Sequence, residues 1–142
     1  MEKKLRYTLG KTERLKSRKQ IERLFAEGKT LSVFPFRVLY ILKKDDLISD
    51  SDQRGTLPTL QAGFTVSSRH FKSAVKRNRI KRLMREAWRL QKNKLQLLPD
   101  FHKITLTLFF IYIGKELPEY ALIYEKMTSV IKRLIKLTGE NR

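Results

Sequence analysis

The stretch from Leu106 to Ile113 reads LTLFFIYI, the longest apolar run in the chain and only long enough for a strand. A strand this apolar has no face to give to water, so it must be central in a sheet or covered on both faces. The strand predicted over Lys103–Ile113, broken by Gly114, therefore requires neighbouring strands and helices to cover them.

The rest of the sequence supplies them. Ser17 followed by Gln20 has the form of a capping box, and Ile21, Leu24 and Phe25 recur at helical spacing until Gly28 closes a short first helix. From Val33 to Leu42, Phe34, Phe36, Val38 and Tyr40 share one parity and Arg37, Leu39 and Ile41 the other, which predicts a strand starting at or just before Pro35. Residues 43–59 carry four Asp with Gly55 and Pro58 and read as a flexible loop. Leu60, Ala62, Phe64 and Val66 alternate with polar or small residues as a half-buried strand. Ile80, Leu83, Met84 and Ala87 fall on one arc of a long helix over about Val75–Lys92. Pro99 and Asp100 end the linker that follows. Pro118 opens a last helix whose buried stripe is Tyr120, Tyr124, Met127, Ile131 and Leu134, closed by Gly139. The expected fold class is α+β, one two-layer sandwich in the order α-β-β-α-β-α. A single domain spans 1–142, with an ordered core at about 12–138 and a flexible N-terminal tail.

Charge narrows the function. The chain has 142 residues, 32 Lys plus Arg, 14 Asp plus Glu and a formal charge of +18, which points to a polyanionic companion. No apolar run approaches the roughly 18 residues of a spanning helix, so a membrane is not the expected partner. The N-terminus lacks the apolar core of a secretory signal, and cysteine is absent, which together favour the cytosol. From Arg69 to Lys94 there are eleven basic residues and one acid, Glu86, so this segment alone carries +10. On a helix, Asn78, Lys81, Arg82, Arg85, Arg89 and Lys92 lie opposite the apolar arc, with Arg77 and Arg79 at its flanks. A merely solvated helix gains stability by alternating Glu with Lys four residues apart, whereas Arg77, Lys81, Arg85 and Arg89 stack like charges at that spacing. Such repulsion is relieved when phosphates fill the face and release their counterions. Arg predominates, and its planar fork suits phosphate contacts and stacking on bases.

The block Lys76-Arg77-Asn78-Arg79-Ile80-Lys81-Arg82-Leu83-Met84-Arg85-Glu86-Ala87 resembles the RNR signature of the bacterial ribonuclease P protein family. The strand Ala62-Gly63-Phe64-Thr65-Val66-Ser67 and the helix from Arg14-Leu15 to Phe25 and Gly28 resemble the family's too, so the likeness covers most of residues 12–138. It implies a sandwich with a left-handed βαβ crossover, the opposite of the hand expected from sequence alone. It implies a subunit that joins a catalytic RNA and helps remove the 5′ leader of precursor tRNA. The RNA carries out the hydrolysis with its magnesium ions, and no catalytic side chain, protein-held metal or small-molecule substrate is expected in the protein. By this likeness Lys72, Lys76, Arg77, Asn78, Arg79, Lys81, Arg82, Arg85 and Arg89 contact RNA. Phe25, Phe36, Arg37 and Tyr40 are the candidates for a leader groove. Ile21 stands where the family commonly has Phe, which leaves Phe25 as the aromatic of the first helix. Either the Phe36 and Tyr40 face or the Arg37 and Leu39 face of the strand lines the groove. An exposed aromatic there stacks on any base, while the competing fate of Phe25, Phe36 and Tyr40 is core packing.

The remaining candidates are weak. His70 and His102 have no partner at metal-ligand spacing, and Asp45, Asp46, Asp50 and Asp52 sit in a loop ill-suited to rigid cation geometry. No nucleophile and base pair is visible. The alternative to a processing subunit is a structural RNA binder such as a ribosomal protein.

Overall fold

The computed structural model describes residues 13–44, 60–99 and 101–140. Its elements are α1 (Arg18–Glu27), β1 (Lys29–Val33), β2 (Phe36–Lys44), β3 (Leu60–Val66), α2 (Ala74–Gln91), α3 (Asn93–Gln96), β4 (Ile104–Tyr112) and α4 (Tyr120–Glu140). The strands form one sheet in the order β1-β2-β4-β3. β4 is antiparallel to β2 and parallel to β3, so β3, α2 and β4 make a βαβ unit.

The apolar run is central, covered by helices on one face and in part by α1 on the other. Alternation sends Leu106, Leu108, Phe110 and Tyr112 to one side, where they join Phe36, Val38, Tyr40, Leu60, Ala62 and Val66. Ile80, Met84, Ala87 and Trp88 of α2 and Ile123, Met127, Val130, Ile131 and Leu134 of α4 close this main core. On the opposite face Phe109 and Leu39 meet Leu24 of α1 and Leu15. The helical layer of α2 and α4 and the sheet form the expected sandwich, and α1 adds partial cover to the second sheet face.

Local chemistry sets the ends. Ser17 Oγ accepts from Gln20 N at 3.4 Å and Gly28 N donates to Leu24 O at 2.8 Å, closing α1 at both ends. Ser73 Oγ does the same for α2 by accepting from Lys76 N at 3.4 Å. Lys44 Nζ donates to Thr138 O at 2.8 Å and Arg133 Nη1 to Ser32 O at 2.8 Å, which ties α4 to the β1–β2 side of the sheet.

Several expectations are corrected. The strand placed at 33–42 is a hairpin: β1 pairs with β2 across a turn containing the cis Phe34–Pro35 bond. β1 is five residues long, with Leu31 its only buried residue and Val33 half-buried, an alternation too short to mark a strand without its partner. β2 runs on through Lys43 and Lys44, and residues 45–59, with their four Asp, and the tail before residue 13 lie outside the described residues. The linker after α2 contains the extra helix α3. Tyr124 is exposed at the edge of the α4 stripe, where Ile123 and Val130 take the buried positions. Gly139 lies inside α4, since the helix continues to Glu140.

Gly63 shows why a glycine interrupts a buried strand. A Cβ there would come within 2.9 Å of the Phe109 ring and 3.2 Å of the Leu15 carbonyl oxygen. Gly63→Ala is expected to cost about 1–3 kcal/mol by overpacking. Urea unfolding followed by the fluorescence of Trp88, the only tryptophan, measures it; an unchanged midpoint contradicts the close approach.

Candidate nucleic-acid interface

α2 divides sharply by burial. Ile80, Met84, Ala87, Trp88 and Gln91 are buried, while Lys76, Asn78, Arg79, Arg82 and Arg85 are exposed, with Lys72 just before the helix. Lys81 is half-buried. The helix thus presents cations while its other side is fixed against β3 and α4.

Three basic residues of the segment have partners within the protein. Arg77 is half-buried, and its Nη1 donates to Phe71 O at 2.7 Å, so it fixes the turn that leads into the helix. Arg89 bonds Glu86 through Nε at 3.1 Å and Nη2 at 2.5 Å. The Arg89 hydrogen bond holds the Glu86 carboxyl below its ordinary range, and Arg89 is correspondingly raised. Arg89 is therefore held by its neighbour rather than standing in an open row with Arg85. Lys92, which the helical projection put on the cationic face, is 0% exposed, and its Nζ is bound to the Glu13 carboxylate. The projection failed there because the helix ends at Gln91 and the chain turns inward.

The second surface lies on the other side of the sheet. The parity of Arg37, Leu39, Ile41 and Lys43 faces the α1 side of the sheet, with Leu39 buried and Arg37 and Lys43 exposed. Phe36 is 0% and Tyr40 9% exposed, both in the main core, so neither lines a groove. Phe36 instead sets its ring edge-on to Phe110 and Tyr112, with centroids 6.3 and 6.4 Å apart. Phe25, on α1, is 59% exposed and contacts Phe109 edge-to-face at 5.8 Å. Arg37 is exposed on this same open face.

Between α1 and the sheet is a recess of about 200 Å³ lined by Gln20, Arg23, Ile41, Lys43, Gln61, Thr105 and Thr107. Sequence reasoning named none of these as site residues. The available signal was the polar half of the β4 alternation, Thr105 and Thr107 beside Leu106 and Leu108, which marks where the sheet is left uncovered. The recess offers two cations, two amides and two hydroxyls on an apolar base, a mixture suited to phosphate, sugar and base edges.

Among the described residues no group of three or more His, Asp and Glu is placed to hold a metal. His70 and His102 are both exposed. Among the same residues no helix is long and apolar enough to cross a membrane.

Known proteins resemble this chain in sequence and in fold. The family model described as Ribonuclease P matches residues 9–136. The ribonuclease P protein component of Porphyromonas gingivalis is 35% identical over 133 residues, covering 94% of this chain and 88% of the relative. That of Chlorobium phaeobacteroides is 34% identical and covers 92% of each. Among solved structures, the RNase P protein of Thermotoga maritima superposes with a TM-score of 0.60 at 25% identity, over 85% of this chain and 96% of its own. The Staphylococcus aureus RNase P protein gives 0.62 at 20% identity, over 86% and 94%, a likeness of fold. A basic helix seated on a four-stranded sheet is thus joined to a family match over nearly the whole described chain, and the chain belongs to the ribonuclease P protein family, as the protein component of that tRNA-processing ribonucleoprotein.

Proposed function

We propose that the protein seats the catalytic RNA against the exposed cations of α2 and holds the 5′ leader of precursor tRNA in the recess between α1 and the open sheet face. The observation that carries this reading is the parity of β2. It buries Phe36 and Tyr40 and leaves Arg37 and Lys43 on the open side of the sheet, with α1 and its exposed Phe25 packed against that side. Two RNA surfaces on opposite faces of one sheet let the protein bridge a ribozyme and its substrate. In this reading the RNA holds the magnesium ions used in hydrolysis, and protein cations lower the concentration required by reducing phosphate repulsion. The cytosol is its place of work.

A reconstituted holoenzyme tests this. Adding the protein to ribonuclease P RNA is expected to restore precursor-tRNA cleavage at low magnesium. Phe25→Ala and Arg37→Ala are each expected to weaken binding of leader-bearing precursor by about 1–3 kcal/mol while leaving mature tRNA unaffected. Equal losses for precursor and mature tRNA would show that these side chains do not touch the leader. Phe36→Ala and Tyr40→Ala should instead lower thermal stability.

A further inference from the structure

A second recess lies where the segment before α1 meets α2. Leu15 N donates to Ala62 O at 3.0 Å and Arg14 bridges Ala62 in parallel, so residues 14–16 extend the sheet beyond β3. Alternation then separates their side chains. Leu15 is buried beneath α1 with Leu24, Leu39 and Phe109, whereas Arg14 and Lys16 are exposed. Those two residues and Arg85 of α2 line a recess of about 340 Å³, completed by Leu15, Ala62, Gly63 and Phe64. The Phe64 ring is stacked on Phe110 at 5.2 Å with an interplanar angle of 13°, so it is rigidly placed. Next to Arg14, the Glu13 carboxylate holds the buried Lys92 Nζ just beyond the end of α2. The segment is therefore fastened twice, once to β3 and once to the α2 end.

We propose that this recess is a subsite for one nucleotide of ribonuclease P RNA, with a backbone phosphate among Arg14, Lys16 and Arg85 and its base against Phe64. The proposal rests on the reading of α2 as the RNA-binding surface and extends that surface onto the preceding segment. Arg14, Lys16 and Arg85, from two distant parts of the chain, border one concavity, and an anion seated there is attracted by their charges and releases its counterions. The volume exceeds that of a bare phosphate and falls within the roughly 300–1,000 Å³ of small-ligand sites. An aromatic ring at its wall accepts any base by stacking. The Glu13–Lys92 pair positions this subsite by holding the segment in place, and does not touch the nucleotide.

The experiment is equilibrium binding of the full chain to transcribed ribonuclease P RNA over a salt series. Lys16→Ala and Arg85→Ala are each expected to weaken binding by about ten-fold. Because they share one phosphate, the double variant should lose less than the product of the single losses and lower the salt slope by about one. Phe64→Leu, which keeps an apolar side chain, should weaken binding about five-fold or more at an unchanged salt slope. Thermal melting separates this from unfolding, and exposed Lys132→Ala on α4 serves as a neutral control. Multiplicative losses with a slope change of two, or full affinity in the Lys16, Arg85 or Phe64 variants, overturn the subsite. Arg79→Ala tells the two readings apart: if it weakens binding while Lys16→Ala and Arg85→Ala do not, the subsite falls and the α2 surface stands. If none has an effect, both fall.

Discussion

Replacing Arg79 and Arg82 together with alanine is expected to weaken binding to ribonuclease P RNA by about 3 kcal/mol, on the order of a hundred-fold. Both side chains are exposed on α2 and neither carries the fold. Each phosphate contact removed should also lower the slope of log affinity against log salt by roughly 0.7–0.9. An unchanged slope would remove α2 from the interface. The choice of these two follows from the structure. Arg77 looks equivalent in sequence, but its bond to the Phe71 carbonyl means that Arg77→Ala disturbs the entry to the helix as well as the surface. Arg77→Ala should lower stability and affinity together, whereas the Arg79 and Arg82 pair should lower affinity alone. Melting curves recorded beside the binding isotherms distinguish the two behaviours.

The sequence was legible wherever a pattern is repeated along an element. The LTLFFIYI run announced a strand that is central or covered on both faces, and β4 is central; the arc of Ile80, Met84 and Ala87 located the buried side of α2. What it withheld depends on partners distant in sequence. Phe36, Val38 and Tyr40 share a parity with one another, but which side of β2 is covered is decided by α2 and α4 packing on that face while α1 covers only part of the other. Lys92 is indistinguishable from its basic neighbours until Glu13 is brought to it. Arg89 looks like part of an uninterrupted cationic row until the Glu86 carboxylate is seen to hold it. β1 is short and mostly polar, and its strand conformation comes from pairing with β2 rather than from its own residues. The candidate site shows the same division. Its cations were visible as composition, whereas the open polar rows of Thr105, Thr107, Gln61 and Lys43 became a recess only through the sheet order and the placement of α1.

The largest stability effect is expected at Phe110, where the central strand meets the helix that carries the RNA face. The side chain is 0% exposed and lies against Phe36, Phe64 and Trp88, at centroid distances of 6.3, 5.2 and 5.4 Å. Phe110→Ala removes the ring from a place where helix and strands are already fixed around it, so the cavity cannot close completely. The expected cost is about 3–5 kcal/mol, a large part of the roughly 5–15 kcal/mol that holds a domain together. For a chain of this size that corresponds to a fall in melting temperature of roughly 10–25 °C. Trp88 remains in the variant as a fluorescent reporter beside the missing ring. Because the outer side of α2 is untouched, the fraction still folded in the cold should bind ribonuclease P RNA with the wild-type salt slope, even though α2 has lost part of its seat. A melting temperature within about 5 °C of wild type would mean that Phe110 is not the junction of the core. A changed salt slope in fully folded protein would mean that the ring also sets the orientation of the cations.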